Sequence, residues 1–224
     1  MITLAIDQSS VQASAALLDG DSLLAQRDWQ DDRRRGSRLF GCIDEMLRQA
    51  RVKAESLERF VVGVGPGSYT GLRTSIMAAR AMAMPGRKPV LGVSSGDAIA
   101  ERANAEYGER FVTVAGDARR SQLWFRHYEL REGRMTPLDA WMLASPVSFG
   151  SICRPGFCVA TPDWPRLCLF LEAEMRRSGI RVIAHSVHPQ ASILGRMAGN
   201  SAFRGEAAEP VYLHAAVAKP APAA

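Results

Sequence analysis

The chain is expected to fold as an α/β protein made of two successive halves, each a βββαβαβα unit. Three observations predict this. Short apolar runs alternate with segments whose apolar residues recur at helical spacing, the pattern of helices packed on sheets. The order of three strands followed by α-β-α-β-α occurs twice, over residues 2–105 and again over residues 111–198. The apolar strand that opens each half ends at an aspartate, Asp7 in the first and Asp117 in the second.

The elements follow in order. Residues 2–7 read as a buried strand and residues 11–18 as a second, ending at Asp19-Gly20, a hairpin signal; residues 23–29 make a third. Ser37 is placed to cap a helix in which Leu39, Phe40, Ile43, Met46, Leu47 and Ala50 form an apolar face. The strand at 60–64 runs into Gly65-Pro66-Gly67-Ser68-Tyr69-Thr70-Gly71-Leu72-Arg73. Three glycines and a proline so close together suit neither a helix interior nor a central strand, so this is a shaped turn. A helix at 70–84, capped by Ser68 or Thr70, leaves the turn and stops at Pro85-Gly86. A strand at 90–93 and a helix from Ser94 or Ser95 to about residue 105 complete a first subdomain, residues 1–104.

The second subdomain, residues 105–218, is read as strands at 111–116, 122–130 and 138–143, then a helix at 147–153. A strand at 157–160, a helix at 164–177, a strand at 182–184 and a helix at 191–198 follow. Residues 219–224, rich in Pro and Ala, read as a disordered tail. The halves would meet across a cleft near residues 103–110, faced by the glycine turn and by the hairpins after Asp7 and Asp117.

Composition narrows the class. With 224 residues, 47% hydrophobic and 23% charged, this is the make-up of a soluble globular protein. The N-terminus lacks a basic leader region, and no apolar run reaches the roughly 20 residues of a membrane span, which points to the cytoplasm. Cys42, Cys153, Cys158 and Cys168 form no C-x-x-C pair and read as reduced, buried thiols. The net charge is +5, with basic clusters at Arg33-Arg34-Arg35 with Arg38, at Arg119-Arg120 and at Arg176-Arg177. Aromatic residues do not interleave with them, so a stacking platform for single strands is not visible. A solvated basic surface is the simpler reading; a weak electrostatic contribution to an RNA or acidic partner is the alternative.

Motifs of catalysis are sparse. The glycine stretch is no Walker A loop, because no Gly-Lys-Ser/Thr follows, and no Rossmann fingerprint, because Thr70 stands at the third glycine position. Taken alone, it favours a packing role over anion binding. His185 and His188 form an H-x-x-H pair without the spacing of a metal site, and Ser94-Ser95 fits a helix cap better than a nucleophile. No catalytic residue and no metal site is expected.

The architecture resembles the actin-like ATPase (ASKHA, ribonuclease H-like) fold of actin, sugar kinases and heat-shock chaperone ATPases. There a hairpin after the first strand of each half, an Asp followed by glycines, wraps nucleotide phosphates. Here the hairpins read Asp7-Gln8-Ser9-Ser10 and Asp117-Ala118-Arg119-Arg120, degenerate in lacking glycine. Asp7 and Asp117 either ligate a metal or water, or satisfy turn backbone.

At Gly65–Arg73 the chain resembles the TsaB (YeaZ) family, and the resemblance covers nearly the whole sequence. It includes Leu4-Ala5-Ile6-Asp7-Gln8-Ser9-Ser10, Ser37, Ile43-Asp44-Glu45-Met46-Leu47, Gly92-Val93-Ser94-Ser95, Asp117-Ala118-Arg119 and Pro210-Val211-Tyr212-Leu213. It departs at Gly36, where the family often has histidine, at Gln8 for a threonine, and at His214 for an arginine. The resemblance implies a non-catalytic subunit paired with a TsaD-type transferase, alongside a TsaE-type ATPase, in threonylcarbamoylation of the tRNA adenosine beside the anticodon. It implies no cofactor of the chain's own, with ATP or ADP only at a complex interface, and indirect contact with tRNA. An actin-like ATPase or kinase with degenerate hairpins stays the alternative, as does a peptidase, for which the sequence offers neither a metal pair nor a triad. The expected partner surface, for a homodimer or a TsaD heterodimer, takes Phe40, Ile43 and Leu47 from the first helix and Ile76, Met77, Arg80 and Met84 from the second. Arg80 shares a face with Ile76 and Met84, which argues for exposure of that face.

Overall fold

The computed structural model describes residues 1–30, 38–199 and 207–214. Ser37, Arg33-Arg34-Arg35 and the tail at 219–224 lie outside the described residues. The first half contains β1 (Ile2–Asp7), β2 (Gln12–Asp19), β3 (Ser22–Gln30), α1 (Leu39–Ala50), β4 (Arg59–Gly63), α2 (Tyr69–Ala83), β5 (Val90–Val93) and α3 (Ser95–Tyr107). The second contains β6 (Phe111–Arg119), β7 (Gln122–Arg131), β8 (Arg134–Pro137), β9 (Met142–Ala144), α4 (Pro146–Ile152), β10 (Cys158–Thr161), α5 (Trp164–Ser178), β11 (Arg181–Ser186) and α6 (Ala191–Gly199).

The first sheet runs β3-β2-β1-β4-β5, antiparallel through the opening meander and parallel from β1 to β4 to β5. Strand alternation sends Leu4, Ile6, Leu17, Phe60 and Val62 to one face. There they meet Leu39, Cys42, Ile43 and Met46 of α1 and Ile76, Ala79 and Ala83 of α2. Each such aliphatic side chain contributes about 1.5–3 kcal/mol by leaving water, which makes this layer the main core of the half. Ala5, Ala16, Leu18 and Val61 face the other way.

The second sheet runs β11-β10-β6-β7-β8. Its third strand differs from expectation. Instead of one strand at 138–143, β8 and β9 both pair with β7, and residues 138–141 leave the ladder between them. Leu138 N still donates to His127 O at 2.9 Å, but the Asp139 carboxylate then takes over the β7 edge, accepting from His127 N at 3.0 Å while lying 2.7 Å from His127 Nδ1.

The last helix of each half crosses to the other. Ala191, Leu194 and Ala198 of α6 pack on the first sheet with Ala5 and Val61. Ile99, Ala100 and Ala103 of α3 pack on the second sheet with Val112, Val114 and Tyr128, while Ala98 of the same helix joins the α6 layer. The expected division at 104/105 therefore falls inside α3, a helix that belongs to both cores. Residues 207–214 cross back as well: Ala208 and Val211 join the core of the first sheet, and Val211 N donates to Val64 O at 2.8 Å.

Candidate functional site

The glycine turn sits between β4 and α2, with a cis Gly65–Pro66 peptide. Its polar groups are engaged inside the molecule. Ser68 N donates to Ser9 O at 2.6 Å, Gly65 N to Ser95 Oγ at 3.1 Å, and Leu72 N to Ser68 O at 2.9 Å. Ser68 is the cap of α2, its Oγ accepting from Gly71 N at 3.3 Å. The glycines are explained by close approach. A Cβ on Gly67 would overlap the Ser9 carbonyl, and one on Gly71 would overlap that of Gln8. The first hairpin therefore lies directly on the turn.

Both aspartates turn their own backbone. Asp7 Oδ1 accepts from Ser9 N at 2.8 Å and Asp117 Oδ1 from Arg119 N at 2.8 Å, the same bond in each half. Asp7 is fully buried and also accepts from Ser9 Oγ at 2.7 Å and Ser95 Oγ at 2.6 Å. Burial pushes its carboxyl above the ordinary value, against those three hydrogen bonds. Asp117 is paired with Arg119 at 3.1 Å and Arg166 at 2.9 Å. Its partial burial acts upward, but the bonds from Arg119 N and Arg166 and the two guanidinium charges outweigh it and hold the carboxyl below its ordinary value. A nucleotide held by metal and two glycine hairpins does not fit these residues: neither carboxylate is free, and the first hairpin backbone is spent on the glycine turn.

The second hairpin departs from expectation in shape. The strand does not end at Asp117 but runs to Arg119, leaving Arg120-Ser121 as a two-residue turn. Arg119, Arg120 and Ser121 all adopt positive φ, at 64°, 51° and 54°, where glycine or asparagine is usual.

The glycine turn and this hairpin face each other across a cleft of about 780 Å³. One wall carries Tyr69 and Arg73, the other Arg119, Arg120, Asp163 and Arg166, and residues 211–214 span the gap. Tyr212 OH accepts from Arg73 Nε at 2.8 Å, the Arg73 guanidinium lies 4.1 Å from the Tyr69 ring centre, and the two tyrosine rings are 5.4 Å apart. His214 Nε2 reaches Ala118 O at 2.6 Å, joining the strap to the second hairpin. Sequence reasoning quoted Tyr212 and His214 without placing them here, and missed Asp163 and Arg166.

The expected partner surface divides. Phe40, Met77 and Met84 are 57%, 61% and 74% exposed. Leu47 is partly buried against the core. Ile43 and Ile76 are corrected: both are buried in the first core, because they occupy the stripe that faces the sheet. Arg80 does not mark exposure of Ile76, since it lies at the helix edge and its guanidinium donates to Ala208 O at 2.9 Å. All four cysteines are free, and no helix among the described residues is long and apolar enough to cross a membrane.

Comparison with known proteins places this geometry. The family model described as TsaD, tRNA N6-adenosine threonylcarbamoyltransferase, matches residues 32–142. The chain is 30% identical to "tRNA threonylcarbamoyladenosine biosynthesis protein TsaB" of Bacillus subtilis, over 59% of this chain and 57% of that protein. It is 28% identical to the protein of the same name from Escherichia coli, over 59% and 57%. An uncharacterised protein of Mycobacterium leprae is 30% identical over 76% of this chain and 54% of that one. The chain thus spans just over half the length of the curated relatives it matches. Among solved structures, YeaZ from Pseudomonas aeruginosa superposes with a TM-score of 0.78 at 26% identity, over 94% of this chain and 100% of that one. A Pseudomonas aeruginosa structure described as similar to peptidase YEAZ gives a TM-score of 0.80 at 26% identity, over 95% and 99%. The fold is the actin-like ATPase fold expected from the element order.

Proposed function

The chain belongs to the TsaB/YeaZ family, and on that premise we propose that it is a non-catalytic subunit in the making of threonylcarbamoyladenosine in tRNA. It binds a TsaD-type transferase, with a TsaE-type ATPase in the same assembly, and touches tRNA only through that assembly. Alone, it pairs with a second copy through the same face. The observation that carries this reading is the outer face of α1 and α2. Phe40 and Met77, with Met84 just past the end of α2, stand mostly in water there, over a layer whose inner stripe already fills the core. Unbranched methionines adapt to a partner surface at little cost in strain. The state of the two hairpin aspartates supports the non-catalytic part, since a buried, triply bonded Asp7 and a doubly ion-paired Asp117 present no free base or metal ligand to the cleft.

Met77→Glu tests the reading, because it places a charge where an apolar contact is proposed. With its thermal transition unchanged, the variant is expected to lose about tenfold or more in affinity for the TsaD-type subunit, and to sediment as a monomer where the wild type self-associates. Unchanged association by an intact fold would remove α2 from the interface.

A further inference from the structure

The strap at 207–214 is fastened to both halves. Ala208 and Val211 enter the core of the first sheet, Val211 N donates to Val64 O at 2.8 Å, and Leu213 packs against the core of the second. The Ala207 carbonyl lies so close over Gly92 that a Cβ there would meet it. Along its length the strap also takes hold of two side chains of α2. Ala208 O accepts from the Arg80 guanidinium at 2.9 Å. Tyr212 OH accepts from Arg73 Nε at 2.8 Å, with the same guanidinium 5.8 Å from the Tyr212 ring centre. Arg73, Met77, Arg80 and Met84 recur at intervals of four, three and four residues, so they fall on one side of the helix, and all four are exposed. The two arginines thus alternate with the two methionines of the proposed docking face.

We propose that the strap is a positioning device: it draws the Arg73 and Arg80 guanidinium groups off the outer stripe of α2 and so keeps Met77 and Met84 clear for an apolar partner surface. A released arginine lays its methylene stem along neighbouring apolar surface and carries its charge with it. A guanidinium lying over Met77 has to be moved or buried when a partner docks, and burying an unpaired charge is costly. Fixing both heads beforehand removes that cost, as preorganisation does in any interface. This role rests on the reading of α1 and α2 as the docking face and adds what keeps that face apolar.

The test is calorimetric titration of the purified chain with the TsaD-type subunit of the same organism, using Tyr212→Ala, Arg73→Gln and the double variant. Tyr212→Ala, with an unchanged thermal transition, is expected to weaken binding about fivefold or more, because Arg73 is released onto the stripe. Tyr212→Phe keeps the ring and loses only the hydroxyl acceptor, and should lie between the wild type and Tyr212→Ala. Arg73→Gln removes the charge and should bind within about twofold of the wild type. The double variant should return to that level, a coupling that direct contact of either side chain with the partner does not produce. Three results would overturn the role: wild-type affinity for Tyr212→Ala, a double variant as weak as Tyr212→Ala, which would make the tyrosine itself a contact, or a loss with Arg73→Gln alone, which would make the arginine one. Met77→Glu in the same titration separates the two readings. If it binds as the wild type does, the docking face fails and the strap's role with it; loss with Met77→Glu and none with Tyr212→Ala removes only the strap's role.

Discussion

Gly67 and Gly71 matter for what lies above them. The carbonyls of Ser9 and Gln8 occupy the space where their side chains would begin, so the first hairpin seats directly on the turn. Gly71→Ala should therefore cost about 1–3 kcal/mol, the range for forcing extra atoms into a packed site. Gly41, in α1, has open space around its missing Cβ, and Gly41→Ala should instead stabilise by about 0.5–1 kcal/mol. Urea unfolding of the two variants checks the pair, and equal effects would mean that the turn is not clamped as described. That the stretch is a structural bend was legible in its composition, since glycines and a proline between strand and helix leave few conformations. Its partners were not. Tyr212 meets Arg73 across 139 residues of sequence, and no local pattern encodes so distant a contact.

The elements carry a pH dependence that sequence does not display. His188, between β11 and α6, lies 3.0 Å from Ser10 Oγ of the first hairpin through its Nδ1, and its carbonyl accepts from Arg102 of α3 at 3.1 Å. Burial, with the nearby Arg102 charge, lowers its pKa from 6.5 to about 4. The unfolded chain thus takes up this proton first as pH falls. The stability that His188 contributes is complete above about pH 6.5 and is lost on the way down to about pH 4, a swing of about 2 kcal/mol once solvent screening of the half-buried ring is counted. Among the described residues, Asp28 acts in the opposite direction on the imidazole. Unfolding free energies of wild type and His188→Asn at pH 7.5 and pH 4 should converge by about that amount, and a constant gap would contradict the buried, neutral imidazole. The raised carboxyls of Asp7, Asp97 and Asp163 cancel in the comparison, being common to both proteins. Helical period alone could not choose between the two apolar stripes of α2. Ile76 and Met77 both fit an apolar pattern, yet only the first faces the sheet. In the same way, residues 138–143 alternate like a strand, and only the bonds of Asp139 to His127 reveal why the ladder is interrupted there.

At the scale of the molecule, the repeated element order was legible because each half punctuates its strands and helices with the same turn signals. The exchange of helices was not, since α3 and α6 read like the closing helix of their own half and are claimed by the opposite sheet. That exchange, with the strap at 207–214, ties the halves around a cleft whose aspartates serve their own turns, while Phe40 and Met77 stay exposed on the outer face of α1 and α2. The central claim is that this chain works through a partner. It is tested most directly by reconstituting threonylcarbamoylation of tRNA with the TsaD-type and TsaE-type subunits of the same organism, with the wild-type chain, with Met77→Glu and without the chain. Modification that requires the wild-type chain and falls about tenfold or more with Met77→Glu is the predicted result. Full modification in its absence, or turnover of ATP by this chain alone, would contradict it.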